Sequence, residues 1–120
     1  MTTLTMTQQE IEQHLATLPG WRFDGVNITR LIRTENWKGA MLLSGAIGHL
    51  AELAWHHPEL VINYGSVEVR LHTHSAGGVT DKDFALAEKI NALIDWKPAQ
   101  EGVLEGTPNS DEHRYLKDRP

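Results

Sequence analysis

The sequence predicts an α+β domain of two layers, a four-stranded antiparallel sheet with three helices on one face, in the order α-β-β-α-β-β-α. Three observations carry this. Apolar residues recur at spacings of three and four in three segments, and alternate with polar residues in the stretches between. The alternating stretches come in pairs joined by short turn signals, which implies hairpins and antiparallel pairing. Each helical segment carries one apolar stripe, so the helices are expected to cover one face of the sheet.

Thr7-Gln8-Gln9-Glu10 reads as a capping box that opens the first helix, with Ile11, Leu15 and Leu18 as its stripe and Pro19-Gly20 as its stop. Trp21 and Phe23 alternate with polar residues, Asp24-Gly25 marks a turn, and Ile28 to Thr34 forms the returning strand. From Trp37 the period changes. Ala40, Leu43, Ile47, Leu50 and Ala54 fall on one face of a second helix, and Pro58 disfavours helical geometry at His57, so the helix is expected to end about there. Gly39, Gly45 and Gly48 lie in this segment. Each costs up to roughly 1 kcal/mol relative to alanine in a helix interior and leaves room for another backbone to come close.

Leu60 to Tyr64 reads as a short strand and Gly65-Ser66 as a tight connection. Val67, Val69, Leu71 and Thr73 then alternate with Glu68, Arg70, His72 and His74, a half-buried strand. Ala76-Gly77-Gly78 is a loop, and Thr80 opens a third helix carrying Phe84, Ala87, Ile90, Leu93 and Ile94, closed by Trp96-Lys97-Pro98. Residues 1–98 are expected to form the domain and residues 99–120 a polar C-terminal extension. Within that extension Val103, Leu104, Tyr115 and Leu116 are expected to dock on the domain, a neighbouring subunit or a partner protein, and residues 106–112 to stay extended.

The 120 residues fit one domain with one core. A formal net charge of −5 makes nucleic-acid binding a poor expectation, because a phosphate backbone needs a basic face. The absence of cysteine excludes disulfides, thiolate catalysis and Cys-ligated zinc. Residues 1–9 are polar and lack the apolar region of a signal peptide, and no apolar run is long enough to span a bilayer. A cytoplasmic protein is the expectation. Seven histidines are the one skew toward chemistry.

Two of them, His56 and His57, are adjacent between Trp55 and Pro58 at the expected helix end. Glu52 stands four residues before His56, a spacing that shares a helix face and lets a carboxylate fix the imidazole's orientation and tautomer. His57 is rotated about 100° further round the helix. His74 closes a strand and leads into a glycine-rich loop, a common place for site residues. Plainer readings exist for each. The macrodipole favours histidine near a helix C-terminus, His72 suits a solvated strand face, and Thr80-x-x-Asp83 is a second capping box. A metal site of His56, His57, His72 and His74 is disfavoured, because nothing in the sequence brings His56 to the strand.

Glu52-x3-His56-His57-Pro58, Tyr64, Thr73-His74, Gly77-Gly78 and Asp83 together resemble the pterin-4a-carbinolamine dehydratases, also called 4a-hydroxytetrahydrobiopterin dehydratases. The element order from about Thr7 to Trp96 is similar to that family as well. The resemblance implies a four-stranded antiparallel sheet with helices on one face, and assembly as a homodimer or homotetramer. It implies loss of water from a 4a-hydroxytetrahydropterin to give the quinonoid dihydropterin, in tetrahydrobiopterin recycling for aromatic amino acid hydroxylases, with neither metal nor organic cofactor. By the same resemblance His56 and His74 transfer protons and His57 contacts the pterin, the three forming the catalytic set. Glu52 orients His56, Thr73 and Ser75 bind the pterin edge, and Asp83 completes the polar rim near His74.

This chain departs from the family pattern in three places. Trp55 stands where relatives often carry an acidic residue, and as a large aromatic it would stack on the pterin or narrow the pocket. Leu60 replaces a common aromatic, and the segment after Pro98 is longer than in many members. A competing reading is a non-catalytic protein on the same scaffold, since dehydratase-like proteins of carboxysome-containing bacteria act as Rubisco assembly factors and an animal member serves as a transcriptional coactivator.

Overall fold

A computed structural model describes residues 4–117. It contains α1 (Gln8–Leu15), β1 (Arg22–Phe23), β2 (Ile28–Arg33), α2 (Trp37–Ala54), β3 (Glu59–Asn63), β4 (Ser66–Leu71), α3 (Asp81–Asp95) and a four-residue helix, α4 (Pro98–Glu101). The four strands form one antiparallel sheet in the order β1-β2-β4-β3. The predicted α+β class and element order are thus observed, with α4 as an addition in the C-terminal segment.

Alternation decides which face is covered. Ile28 and Ile32 of β2 and Val67, Val69 and Leu71 of β4 are buried, and Leu60 and Ile62 of β3 pack against them. They meet Ile11 of α1, Ala40, Leu43 and Ile47 of α2, and Phe84, Ala87 and Ile90 of α3. Burying one such aliphatic side chain contributes roughly 1.5–3 kcal/mol, and these residues form one continuous core between the sheet and the helices. The register Thr29↔Arg70↔Glu59 carries polar residues across the outer face, as the period of two requires.

Buried polar groups tie the layers together. The Trp21 indole N–H donates to Asn91 Oδ1 at 2.7 Å, the Arg30 guanidinium donates to the same oxygen, and Asn91 Nδ2 donates to the Pro19 carbonyl at 3.1 Å. Burial lowers the pKa of Arg30, and the charge of Asp95 opposes that shift. Trp21 therefore serves as a buried anchor, and β1 proper spans only Arg22–Phe23.

Both capping boxes form, Thr7 with Glu10 and Thr80 with Asp83. The backbone hydrogen bond from Thr7 holds the Glu10 carboxyl below its ordinary value. The end of α2 differs from expectation. The helix stops at Ala54, and Trp55 adopts a left-handed conformation at φ 50°, ψ 46°. His56 N–H then donates to the Ala51 carbonyl at 3.1 Å, a five-residue span that closes the helix as a Schellman motif does. The chain turns before Pro58 can act, so His56 and His57 lie beyond the helix.

The C-terminal segment returns to the sheet. Leu116 pairs with Thr34, Glu35 N–H donates to the Tyr115 carbonyl at 2.9 Å, and Lys117 N–H donates to the Arg33 carbonyl at 3.0 Å. Leu116 is buried and Tyr115 packs against the core. A Cβ on Gly39 would stand 3.0 Å from the Tyr115 carbonyl oxygen, so this glycine does permit a close backbone approach. Gly45 and Gly48 face open space. Val103 and Leu104 remain exposed. Among the described residues no helix is long and apolar enough to cross a membrane.

Candidate active site

The register brings one end of the sheet together: the first residue of β2, the last of β4 and the first of β3, with Ile28 paired to Leu71 and Glu59 to Arg70. The end of α2 runs directly into β3, and the loop after β4 runs into α3. Histidines from the helix end and the strand end thereby become neighbours. Asn27, His57, Glu59, Arg70, His72 and His74 line a cleft of about 110 Å³. A larger concavity of about 550 Å³ lies in the C-terminal segment, among residues such as Lys97, Asn109, Arg114 and Lys117. It contains no histidine and sits toward the opposite end of β2, so the smaller cleft is the candidate for acid–base chemistry.

Beneath the cleft lies a second group. Asp83 is fully buried, and its carboxylate accepts from Thr73 Oγ1 at 2.9 Å, from Thr80 N–H at 2.9 Å and from His56 Nε2 at 2.6 Å. The Thr73 and Thr80 hydroxyls are 2.7 Å apart. A buried carboxylate is costly unless its oxygens are satisfied, and here the helix cap, the strand end and the imidazole do so together. A carboxylate only accepts, so His56 Nε2 carries a proton and Nδ1 is the acceptor of the neutral ring.

His57 is exposed. Its Nε2 donates to Glu52 Oε1 at 2.7 Å, and its ring meets Trp55 edge-on with centroids 5.0 Å apart. The expected pairing of Glu52 with His56 is therefore corrected: Glu52 orients His57, and Asp83 orients His56. The i,i+4 relation requires a helix through His56, and the left-handed Trp55 ends it one residue too soon. Asp83 backs His56 from inside rather than completing a rim. Thr73 is likewise buried, whereas Ser75 and Trp55 are exposed.

His72 is part of the cleft, not merely of a solvated strand face. Its Nδ1 lies 2.7 Å from Asn27 Oδ1, and its ring lies 4.0 Å from that of His74 between centroids. Arg70 is held by Glu59 at 2.8 Å and Glu68 at 3.2 Å; those hydrogen bonds, that to Glu68 first, raise its pKa. Sequence alone does not point to Asn27, Glu59 or Arg70 as cleft residues, and it offers His72 only as a disfavoured metal ligand or a solvated strand position. The outward register of positions 70, 72 and 74 was the available signal. Among the described residues no three His, Asp or Glu side chains are grouped to hold a metal ion.

Comparison with known proteins agrees with this architecture. Residues 4–93 match the family model described as pterin 4 alpha carbinolamine dehydratase. A relative from Aquifex aeolicus that carries the pterin-4-alpha-carbinolamine dehydratase name is 39% identical over 89 residues, covering 74% of this chain and 90% of its own. One from Chloroflexus aggregans with the same name is 41% identical over 90 residues, covering 74% and 96%. The crystal structure of a transcriptional coactivator/pterin dehydratase from Brucella melitensis superposes with a TM-score of 0.69 at 36% identity, covering 74% of this chain and 97% of that one. With that coverage and that fold, the chain belongs to the pterin 4 alpha carbinolamine dehydratase family.

Proposed function

We propose that this protein dehydrates a 4a-hydroxytetrahydropterin to the quinonoid dihydropterin by histidine general acid–base catalysis, serving tetrahydrobiopterin recycling. The observation that carries the reading is the convergence of His57 and His74 on one cleft, with His56 and its buried Asp83 directly behind. The reaction breaks the C4a–O bond, and the leaving oxygen takes a proton to depart as water. A ring nitrogen gives up its N–H proton, and a C=N double bond forms. There is no net oxidation or reduction, so the protein needs one group that gives a proton and one that takes it.

In this reading His56 and His74 transfer the protons and His57 contacts the pterin. Hydrogen bonds to Asp83 and Glu52 leave Nδ1 of neutral His56 and His57 as acceptors. The cleft takes the polar edge of the bicyclic ring near Thr73 and Ser75, and the exposed Trp55 covers the rest by stacking. Exposed Met41, Leu42 and Leu53 along α2 support assembly as a homodimer or homotetramer. Stopped-flow dehydration of a synthetic 4a-hydroxytetrahydropterin tests the reading. The expected result is a rate well above the spontaneous one, and no acceleration at any pH would overturn it.

A further inference from the structure

We propose that His72 is a positioning residue for His74, and that the turn Asp24–Asn27 holds His72, so that the first hairpin sets the geometry of the acid–base site. The inference rests on the dehydratase reading of the cleft.

The relay starts in the turn. Asp24 Oδ1 accepts from the backbone N–H of Val26 at 2.8 Å and of Asn27 at 2.7 Å, which fixes the turn in the manner of an Asx motif. The Asn27 side-chain nitrogen faces Asp24 Oδ2 at 3.5 Å. A carboxylate attracts the amide's donor end, so the amide oxygen is the end turned toward His72. That oxygen only accepts. His72 Nδ1, at 2.7 Å, must therefore carry the proton, and Nε2 of the neutral ring is left as an acceptor. This is one defined tautomer, imposed by a residue 45 positions earlier in the chain.

The relay ends at His74. Thr73, between the two histidines, turns inward to Asp83, so positions 72 and 74 project to the same side. Their ring centroids lie 4.0 Å apart with a 60° tilt. Among the described residues the His74 ring makes no hydrogen bond of its own, whereas His56, His57 and His72 each make one. His74 stands exposed at the start of the His74–Ala76 3-10 turn. An exposed imidazole with no anchor samples several rotamers, so the His72 ring is what confines it. A proton-transfer group gains from such confinement, since small misplacements of reacting groups cost large factors in rate.

Kinetics and histidine NMR test this on the full chain. His72→Ala should lower kcat by about 10- to 100-fold with KM little changed, and His72→Phe, which keeps a ring against His74, should recover most of the loss. Imidazole ¹⁵N spectra should show His72 protonated at Nδ1 in the wild type and reverting toward the Nε2–H form in Asn27→Ala. Ring-to-ring cross-relaxation between His72 and His74 should be present in the wild type and weakened in Asn27→Ala. Wild-type kcat in His72→Ala, or an Nε2–H His72 without cross-relaxation to His74 in the wild type, would overturn the proposal. A wild-type protein inactive on every pterin would instead remove the dehydratase reading, while the spectra would still decide whether Asn27 orders the two rings.

Discussion

His56 Nε2 stands 2.6 Å from Oδ1 of Asp83, a residue 27 positions away that also caps α3. One carboxylate thereby fixes a helix start, a strand end through Thr73 and an imidazole. Removing one partner of a buried pair typically costs about 3–5 kcal/mol, because the other is left unsatisfied. Asp83→Ala should destabilise the fold by an amount of that order, read by urea denaturation. His56→Ala should also destabilise, and the double variant should cost clearly less than the two singles together. Strict additivity would show that the two side chains do not stabilise each other.

That contact also shows where sequence reading stops. Periods of 3.6 and 2 are local, so α2, α3 and the β3–β4 hairpin were legible to within a few residues. Thr80-x-x-Asp83 was legible as a cap for the same reason. The partner of His56 was not, because it is chosen by packing between α3 and the end of α2. The i,i+4 rule pointed to Glu52, and a single left-handed residue at Trp55 redirected it. The tie of His72 to Asn27 is illegible for a related reason: Asn27 comes from another hairpin, and only the β2–β4 register brings them together.

The acid–base reading predicts its own variants. His74→Ala and His56→Ala should each lower the dehydration rate by about 10²- to 10⁴-fold, the usual worth of a positioned acid or base. Glu52→Gln acts on an exposed pair, so its effect on stability should stay within about 1 kcal/mol. Wild-type rates in both histidine variants would mean that proton transfer belongs to other groups. Incubation with a chelator should leave activity unchanged, and a loss that added metal restores would count against metal-free catalysis.

Trp55 is the one non-glycine residue with positive φ among those described. The left-handed region costs an L-residue roughly 1–2 kcal/mol, and glycine avoids that penalty. Trp55→Gly should therefore hold or raise the melting temperature. If Trp55 covers the pterin, the same variant should raise KM. A variant that is less stable and kinetically unchanged would show that the tryptophan is kept for packing alone.

Acid should loosen the turn that carries Asn27. The backbone hydrogen bond from Asn27, chiefly, holds the Asp24 carboxyl below its ordinary value of 3.8. A depressed folded-state value means that Asp24 contributes stability fully above the unfolded value and loses that contribution as pH falls through the folded value. The stability gap between wild type and Asp24→Ala should be constant above about pH 5 and shrink below it. A gap that persists undiminished at pH 2 would show that the turn does not depend on the ionised carboxylate.

Gly39 gives the sharpest test of the C-terminal segment. Glycine in a helix costs up to about 1 kcal/mol relative to alanine, so Gly39→Ala would ordinarily stabilise α2. Here the new Cβ would meet the Tyr115 carbonyl oxygen at 3.0 Å and Tyr115 Cβ at 3.1 Å, closer than ordinary contact. The segment would have to shift, loosening Leu116 from the core and weakening the bonds at Arg33 and Glu35. A chain ending at Pro98 keeps all of the family-matched residues 4–93. It removes the segment from the end of β2 opposite the histidine cleft, so it should fold, with lower stability and most of the proposed dehydratase activity of the full chain. In the full chain Gly39→Ala should destabilise; in the shortened chain, where Thr34 Cβ at 3.3 Å is the contact that remains, it should cost clearly less or stabilise. That difference, measured by denaturation of the four proteins, would assign the glycine to the docked segment. An equal effect in both chains would show that Tyr115 does not hold this position against α2.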